Sequence, residues 1–262
     1  MKYKHDIGYA YKLLQIRKGA NSHIFPTLFA KTVKCVNMNK MDINEITNTN
    51  RYAKARRAAA AAALILFAVI LACVLTEHTA GFDRSIMEFF YSLRCPAVTG
   101  LAVVITTLAN KYVIIGICLV LLIVPQTRLT FGVPLSAGAL GLILLNTLIK
   151  VLVERSRPEV LHLVSEHGFS FPSGQSITSL FFYGLAIWLV WRHVDNKTAK
   201  GVLTVLLAIP TLLIGPTRIY LGVHFPTDVL AAWCLAFIAI VIVIEIINGL
   251  KNRSTKARGA EQ

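Results

Sequence analysis

Residues 58–75 read AAAAAALILFAVILACVL, eighteen side chains in a row without a charge, directly after Arg56 and Arg57. A run of that length matches the ~20 residues that carry an α-helix across the hydrocarbon of a bilayer. Comparable stretches recur at 97–125, 129–154, 173–191, 201–217 and 227–249. In lipid, each such segment must satisfy its own backbone N–H and C=O groups, which a helix does internally. The fold expected is therefore all-α: a polytopic membrane helix bundle with six transmembrane helices.

Composition agrees. The chain has 262 residues, 55% of them apolar, and a positive mean hydropathy, whereas soluble domains are more polar. Three regions are expected. Residues 1–57 form a basic, disordered cytoplasmic tail, residues 58–250 the six-span domain, and residues 251–262 a second basic tail. No apolar run before Ala58 is long enough for the core of a signal peptide. Between the first two spans, Phe82–Leu93 is an amphipathic piece. Asn110 and Lys111 interrupt 97–125, which predicts a short helix followed by a span.

The net charge of +14 is distributed in a way that argues against nucleic acid. Residues 1–57 hold twelve Lys or Arg against three Asp or Glu, and the C-terminal tail holds Lys251, Arg253, Lys256 and Arg258. These segments, Arg128, and the loop with Arg192, Lys197 and Lys200 alternate so as to share one side. By the positive-inside rule that side is the cytoplasm. Segments 76–96, 155–172 and 218–226 then face outward. Cys73, Cys118 and Cys234 sit within apolar runs and read as buried hydrophobes, not as a disulfide framework or metal ligands.

Three short stretches place polar chemistry at span ends. In the first, Lys150 and Arg157 are seven apart, two helical turns on one face, with Pro158 expected to end the helix at Arg157. The second is Pro172-Ser173-Gly174-Gln175, opening the fourth span; small residues at a helix N-terminus offer free N–H groups to an anion. The third is Thr217-Arg218, then His224 and Asp228, with Pro226 and Thr227 expected to start the last helix. A carboxylate four residues from an imidazole can hold one ring nitrogen and leave the other free to attack.

Each stretch also has a bland explanation: interfacial snorkelling of Lys150 and Arg157, a common loop-to-helix junction, a structural histidine. Together they supply cations for phosphate oxygens, a nucleophile and a group to orient it, which is what phosphoryl transfer needs.

In order and spacing the stretches resemble the type 2 phosphatidic acid phosphatase family, marked by K-x6-R-P, P-S-G-H and S-R-x5-H-x3-D. The first motif matches at Lys150, Arg157 and Pro158. The third matches at Arg218, His224 and Asp228, with Thr217 in place of Ser. The resemblance implies that His224 is the nucleophile forming a phosphohistidine and that Asp228 orients it. It implies that Lys150, Arg157, Arg218, the Ser173 hydroxyl and the Gly174 N–H clamp the phosphate. It implies no metal and no cofactor, and no carboxylate cluster suited to Mg²⁺ is visible. The expected substrate is a lipid phosphate or diphosphate met at the outer membrane face, with membrane lipids and no nucleic acid as partners.

One position departs. Gln175 stands where the family has the histidine that protonates the leaving oxygen. An amide only donates a hydrogen bond, and loss of a general acid typically costs about 10²–10⁴-fold. Three consequences follow as alternatives: the chain is a weak enzyme that binds lipid phosphates; Glu166 or His167 supplies the proton; or the leaving group needs none. An alcohol, with a pKa near that of water at roughly 15.7, leaves poorly as alkoxide, whereas a phosphate monoester, with a second pKa of about 6, leaves readily. The substitution thus favours a polyprenyl diphosphate such as undecaprenyl diphosphate over phosphatidylglycerol phosphate or phosphatidate.

Overall fold

The computed structural model describes residues 51–260, so all but the last seven residues of the tail expected over residues 1–57 lie outside the described residues. Helix α1, Arg51–Leu75, is already helical seven residues before the apolar run begins. Arg56 and Arg57 belong to it because both pair with Glu245, at 2.9 and 2.6 Å. The amphipathic piece folds as α2, Ala80–Ser92, and buries Asp83 and Met87. The interrupted region splits as expected into α3, Pro96–Thr107, and α4, Lys111–Ile123. Asn110 makes the break by capping α4, its side chain accepting from Tyr112 N–H at 3.0 Å.

A helical turn at Pro125–Thr127 and a π-turn at Arg128–Gly132 lead into α5, Val133–Val153. Then come α6, Gly174–His193, α7, Lys197–Tyr220, and α8, Pro226–Ala260. Six segments, of 20 to 29 residues, are long and apolar enough to cross a membrane. All described elements are helical.

Among these six, α6 is the most enclosed and α1 the least. Phe181, Leu185 and Leu189 of α6 are fully buried against partners that include Leu135 and Ile214. Two glycines allow the close approaches. A Cβ on Gly138 of α5 would lie 2.1 Å from Phe181, and one on Gly215 of α7 would lie 2.5 Å from Trp233.

Consecutive spans reverse direction, so the C-terminal ends of α5 and α7 and the N-terminal ends of α6 and α8 lie at the same end of the bundle. The opposite end holds the Glu245 pairs and a bond from Arg192 to Asn248 of 2.7 Å.

One sequence expectation is corrected here. Helix α5 stops at Val153, not at Arg157, because Glu154 takes a left-handed φ of 50° while its N–H caps Lys150 O at 3.0 Å. The chain from Arg155 to Pro158 leaves the helix, so Lys150 and Arg157 do not share a helix face. From this loop Arg155 reaches Thr227 and Asp228 at the start of α8, and Arg157 reaches Val223 O and His224 just before it.

Candidate active site

The site is built where four segments end: the C-termini of α5 and α7, the loop 154–173 with the start of α6, and the turn before α8. Pro226 opens α8, as the sequence predicts, so His224 lies in the turn and Asp228 in the first helical turn. Asp228 Oδ2 is 3.4 Å from His224 Nδ1 and accepts the Phe225 N–H at 2.9 Å and the Ser170 hydroxyl. Both partners are deeply buried, His224 at 3% and Asp228 at 0% exposure. In the tautomer whose Nδ1–H faces Asp228, Nε2 carries the lone pair.

That lone pair faces Arg157, whose Nη1 is 3.4 Å from Nε2. Arg157 is locked by loop carbonyls, donating to Val223 O at 2.7 Å, Gly168 O at 3.0 Å and His167 O at 3.1 Å. Burial first, then the charges of Arg218 and Arg157, oppose the Asp228 hydrogen bond and hold the His224 pKa down at about 4. The imidazole is therefore neutral at neutral pH, the form in which Nε2 is nucleophilic.

Arg218, near the end of α7, is 1% exposed and donates to Thr106 Oγ1 at 3.0 Å and to Glu166 Oε1. Its Nε is buried and has no partner. Lys150 donates to the carbonyls of Phe169 and Ser170, which fold back over the end of α5. Gln175 lies in the first turn of α6. Its Oε1 accepts from Thr106 at 2.6 Å and its Nε2 is 3.5 Å from Glu166 Oε1. Ser173 caps α6 in extended conformation; its hydroxyl is 2.8 Å from Ser176, and its N–H donates to Asp228 O at 3.2 Å. Gly174 packs tightly, since a Cβ there would lie 3.2 Å from Asn146.

The residues singled out in the sequence thus gather at one end of the bundle. Glu166, one of two loop candidates for a proton donor, sits among them on Arg218, with Arg157 3.9 Å away. His167 enters only through its backbone carbonyl. Residues that the sequence reading did not single out complete the cluster: Thr106, Ser170, Arg155, Thr227 and Asp83. Arg155 carried a visible signal, standing two before Arg157 in the run up to Pro158. Thr106 and Asp83 carried little, the one being among three threonines of α3 and the other among two acids of an amphipathic helix.

Fold and site together define a polytopic membrane protein with the equipment of a phosphoryl-transfer enzyme: a buried imidazole held by a carboxylate and facing Arg157, with Arg218 and Lys150 at the same end of the bundle. The chain belongs to the PAP2 superfamily, whose family model matches residues 131–251. A Bacillus subtilis protein named phosphatidylglycerophosphatase B is 30% identical over 188 residues, covering 69% of this chain and 91% of the relative. A Sulfolobus acidocaldarius undecaprenyl-diphosphatase is 24% identical over 65% of this chain and 81% of its own length. The crystal structure of a transmembrane PAP2-type phosphatidylglycerolphosphate phosphatase from Bacillus subtilis superposes with a TM-score of 0.66 at 25% identity, covering 72% of this chain and 96% of that one. Aquifex aeolicus LpxE shares the fold at a TM-score of 0.51 and 23% identity, over 62% of this chain and 93% of its own.

Proposed function

We propose that this membrane phosphatase hydrolyses a lipid diphosphate, with undecaprenyl diphosphate the favoured substrate, at the extracytoplasmic face and with both termini cytoplasmic. The observation that carries the reading is the neutral, buried His224, held by Asp228 on one nitrogen and facing Arg157 with the other. Attack by Nε2 on the terminal phosphorus forms an N–P bond as the P–O bond to the lipid monophosphate breaks. Water then cleaves the phosphohistidine, releasing inorganic phosphate and restoring His224. Asp228 holds the Nδ1 proton and balances the charge that develops on the ring. Lys150, Arg157, Arg218, Ser173 and the Gly174 N–H hold the phosphate oxygens and stabilise the charge they gain in the transition state.

The choice of a diphosphate rests on Gln175, whose amide donates a hydrogen bond but no proton. Glu166 accepts from Arg218 and Gln175 through Oε1, so in the resting site it serves as an acceptor on the phosphate-side donors. A phosphate leaving group avoids the need for an acid. The relatives' names cover both a monoester, phosphatidylglycerophosphate, and undecaprenyl diphosphate. Basic span ends, opposite to the site, support the orientation.

The test is phosphate release by the full chain, purified in detergent, from undecaprenyl diphosphate, phosphatidylglycerol phosphate and phosphatidate, with His224→Ala as control. Faster release from the diphosphate, abolished in the control, is the expected result. Equal rates on monoester and diphosphate overturn the substrate choice. Binding of all three lipids without release makes the chain a lipid-phosphate-binding protein on a phosphatase fold.

A further inference from the structure

Asp228 holds the imidazole through Oδ2, and its other oxygen, Oδ1, accepts from Arg155 Nη1 at 2.7 Å. The other partners of Arg155 lie at the starts of α2 and α8. Its Nη1 also donates to Thr227 Oγ1 at 2.8 Å, and its Nη2 donates to Thr79 Oγ1 at 3.1 Å and to Asp83 Oδ2 at 2.7 Å. Its guanidinium carbon lies 4.0 Å over the Phe225 ring, next to His224 in the chain. Asp83, 1% exposed, reaches from α2 to the start of α8, where Oδ1 accepts the Thr227 N–H at 2.9 Å and Oδ2 the Thr227 hydroxyl at 2.8 Å. Pro226 has no N–H, so the Thr227 N–H is the first that α8 can offer. Asp83 is thus an N-cap delivered by a different helix, with its charge at the favourable end of the α8 dipole.

We propose that Asp83 and Arg155 are positioning residues for His224. Arg155, itself held by Asp83, fixes Oδ1 of Asp228 while the Phe225 N–H and the Ser170 hydroxyl hold Oδ2, so the docking of α2 helps set the direction in which Nε2 points. The inference rests on His224 being the nucleophile. Its physical basis is geometric: a buried carboxylate with a donor on each oxygen cannot turn about its last bond. With Arg155 slack, Asp228 turns and the ring follows, and a displacement on the order of 1 Å at a reacting group costs about 10²-fold. One guanidinium stands between two buried carboxylates, Asp83 and Asp228.

The test uses the full-length protein in detergent. Asp83→Asn keeps an acceptor for the Thr227 N–H but withdraws the charge from Arg155. Its kcat is expected to fall roughly tenfold to a hundredfold, while KM and inhibition by inorganic phosphate hold, because the cations that bind phosphate are untouched. Asp83→Glu restores part of kcat. Thr227→Val, a milder change that removes one hydroxyl from the same junction, lowers kcat in the same direction and serves if Asp83→Asn does not fold. Unchanged kcat in Asp83→Asn and Thr227→Val overturns the proposal. So does a loss of kcat matched by losses in phosphate binding and thermal stability, which marks a purely structural role. If the wild-type chain itself releases no phosphate, the phosphatase reading fails separately. Positioning is then read from vanadate by vanadium NMR: a five-coordinate adduct on His224 in wild type, lost in Asp83→Asn, supports it, and the same state in both overturns it.

Discussion

Arg157 Nη1 stands 3.4 Å from Nε2 of His224, on the side of the ring away from Asp228. A guanidinium so close to the attacking nitrogen serves two ends. It adds to burial in opposing protonation of the ring, and in the proposed mechanism it meets an oxygen of the attacked phosphate.

The acid side of the pH profile follows. His224 has its pKa lowered from 6.5 to about 4, chiefly by burial, then by Arg218 and Arg157 against the pull of Asp228. A nucleophile needed in its neutral form is competent above its pKa and is lost as pH falls through it. Imidazole NMR of the full chain should therefore show His224 neutral at pH 6.5 and charging only near about 4. A titration centred on the ordinary histidine value would refute this. In Arg157→Gln the charging shifts to higher pH, since a cation that opposes protonation is gone.

Glu166 sits on the donors expected to receive phosphate. Its carboxylate repels an incoming anion, so Glu166→Gln should tighten inhibition by inorganic phosphate by about tenfold, the equivalent of roughly 1.4 kcal/mol. Competition kinetics read this directly. Weaker inhibition would mean that the carboxylate organises Arg218 more than it obstructs it.

Gln175→His should restore a proton donor next to Thr106 and Glu166. The gain in kcat should reach about 10²-fold on a phosphatidate-like monoester and be much smaller on a diphosphate. Comparing both substrates in one preparation gives the answer, and equal gains would remove the leaving-group argument.

Packing supplies a prediction independent of chemistry. Gly138→Ala forces a methyl to within 2.1 Å of the buried Phe181 ring, so the ring or α5 must shift. Overpacking of this kind costs about 1–3 kcal/mol and should lower the thermal unfolding temperature. Gly141→Ala, with nothing within 4 Å of its Cβ, should leave it unchanged.

Spans and helix starts were legible because their causes are local. Hydropathy and length marked all six crossings, Asn110 announced the break between α3 and α4, and Pro226 announced α8. The motif residues were legible because they recur in order at span ends. The stop of α5 was misread. Pro158 restricts only its neighbour, and nothing near Glu154 signals the left-handed turn that ends the helix early.

An all-helical membrane bundle and a cluster of polar motif residues at one of its ends can be read from the order of residues alone. Apolar length forces helices in lipid, and reversing spans brings alternate ends together. Only the tertiary structure decided which groups stand behind His224. Asp83 and Arg155 are 72 residues apart, and Thr106 and Arg218 are 112 apart. Hydrogen bonds between such pairs depend on distances and directions set by packing α2, α3, α7 and α8 against one another, and no local pattern encodes them.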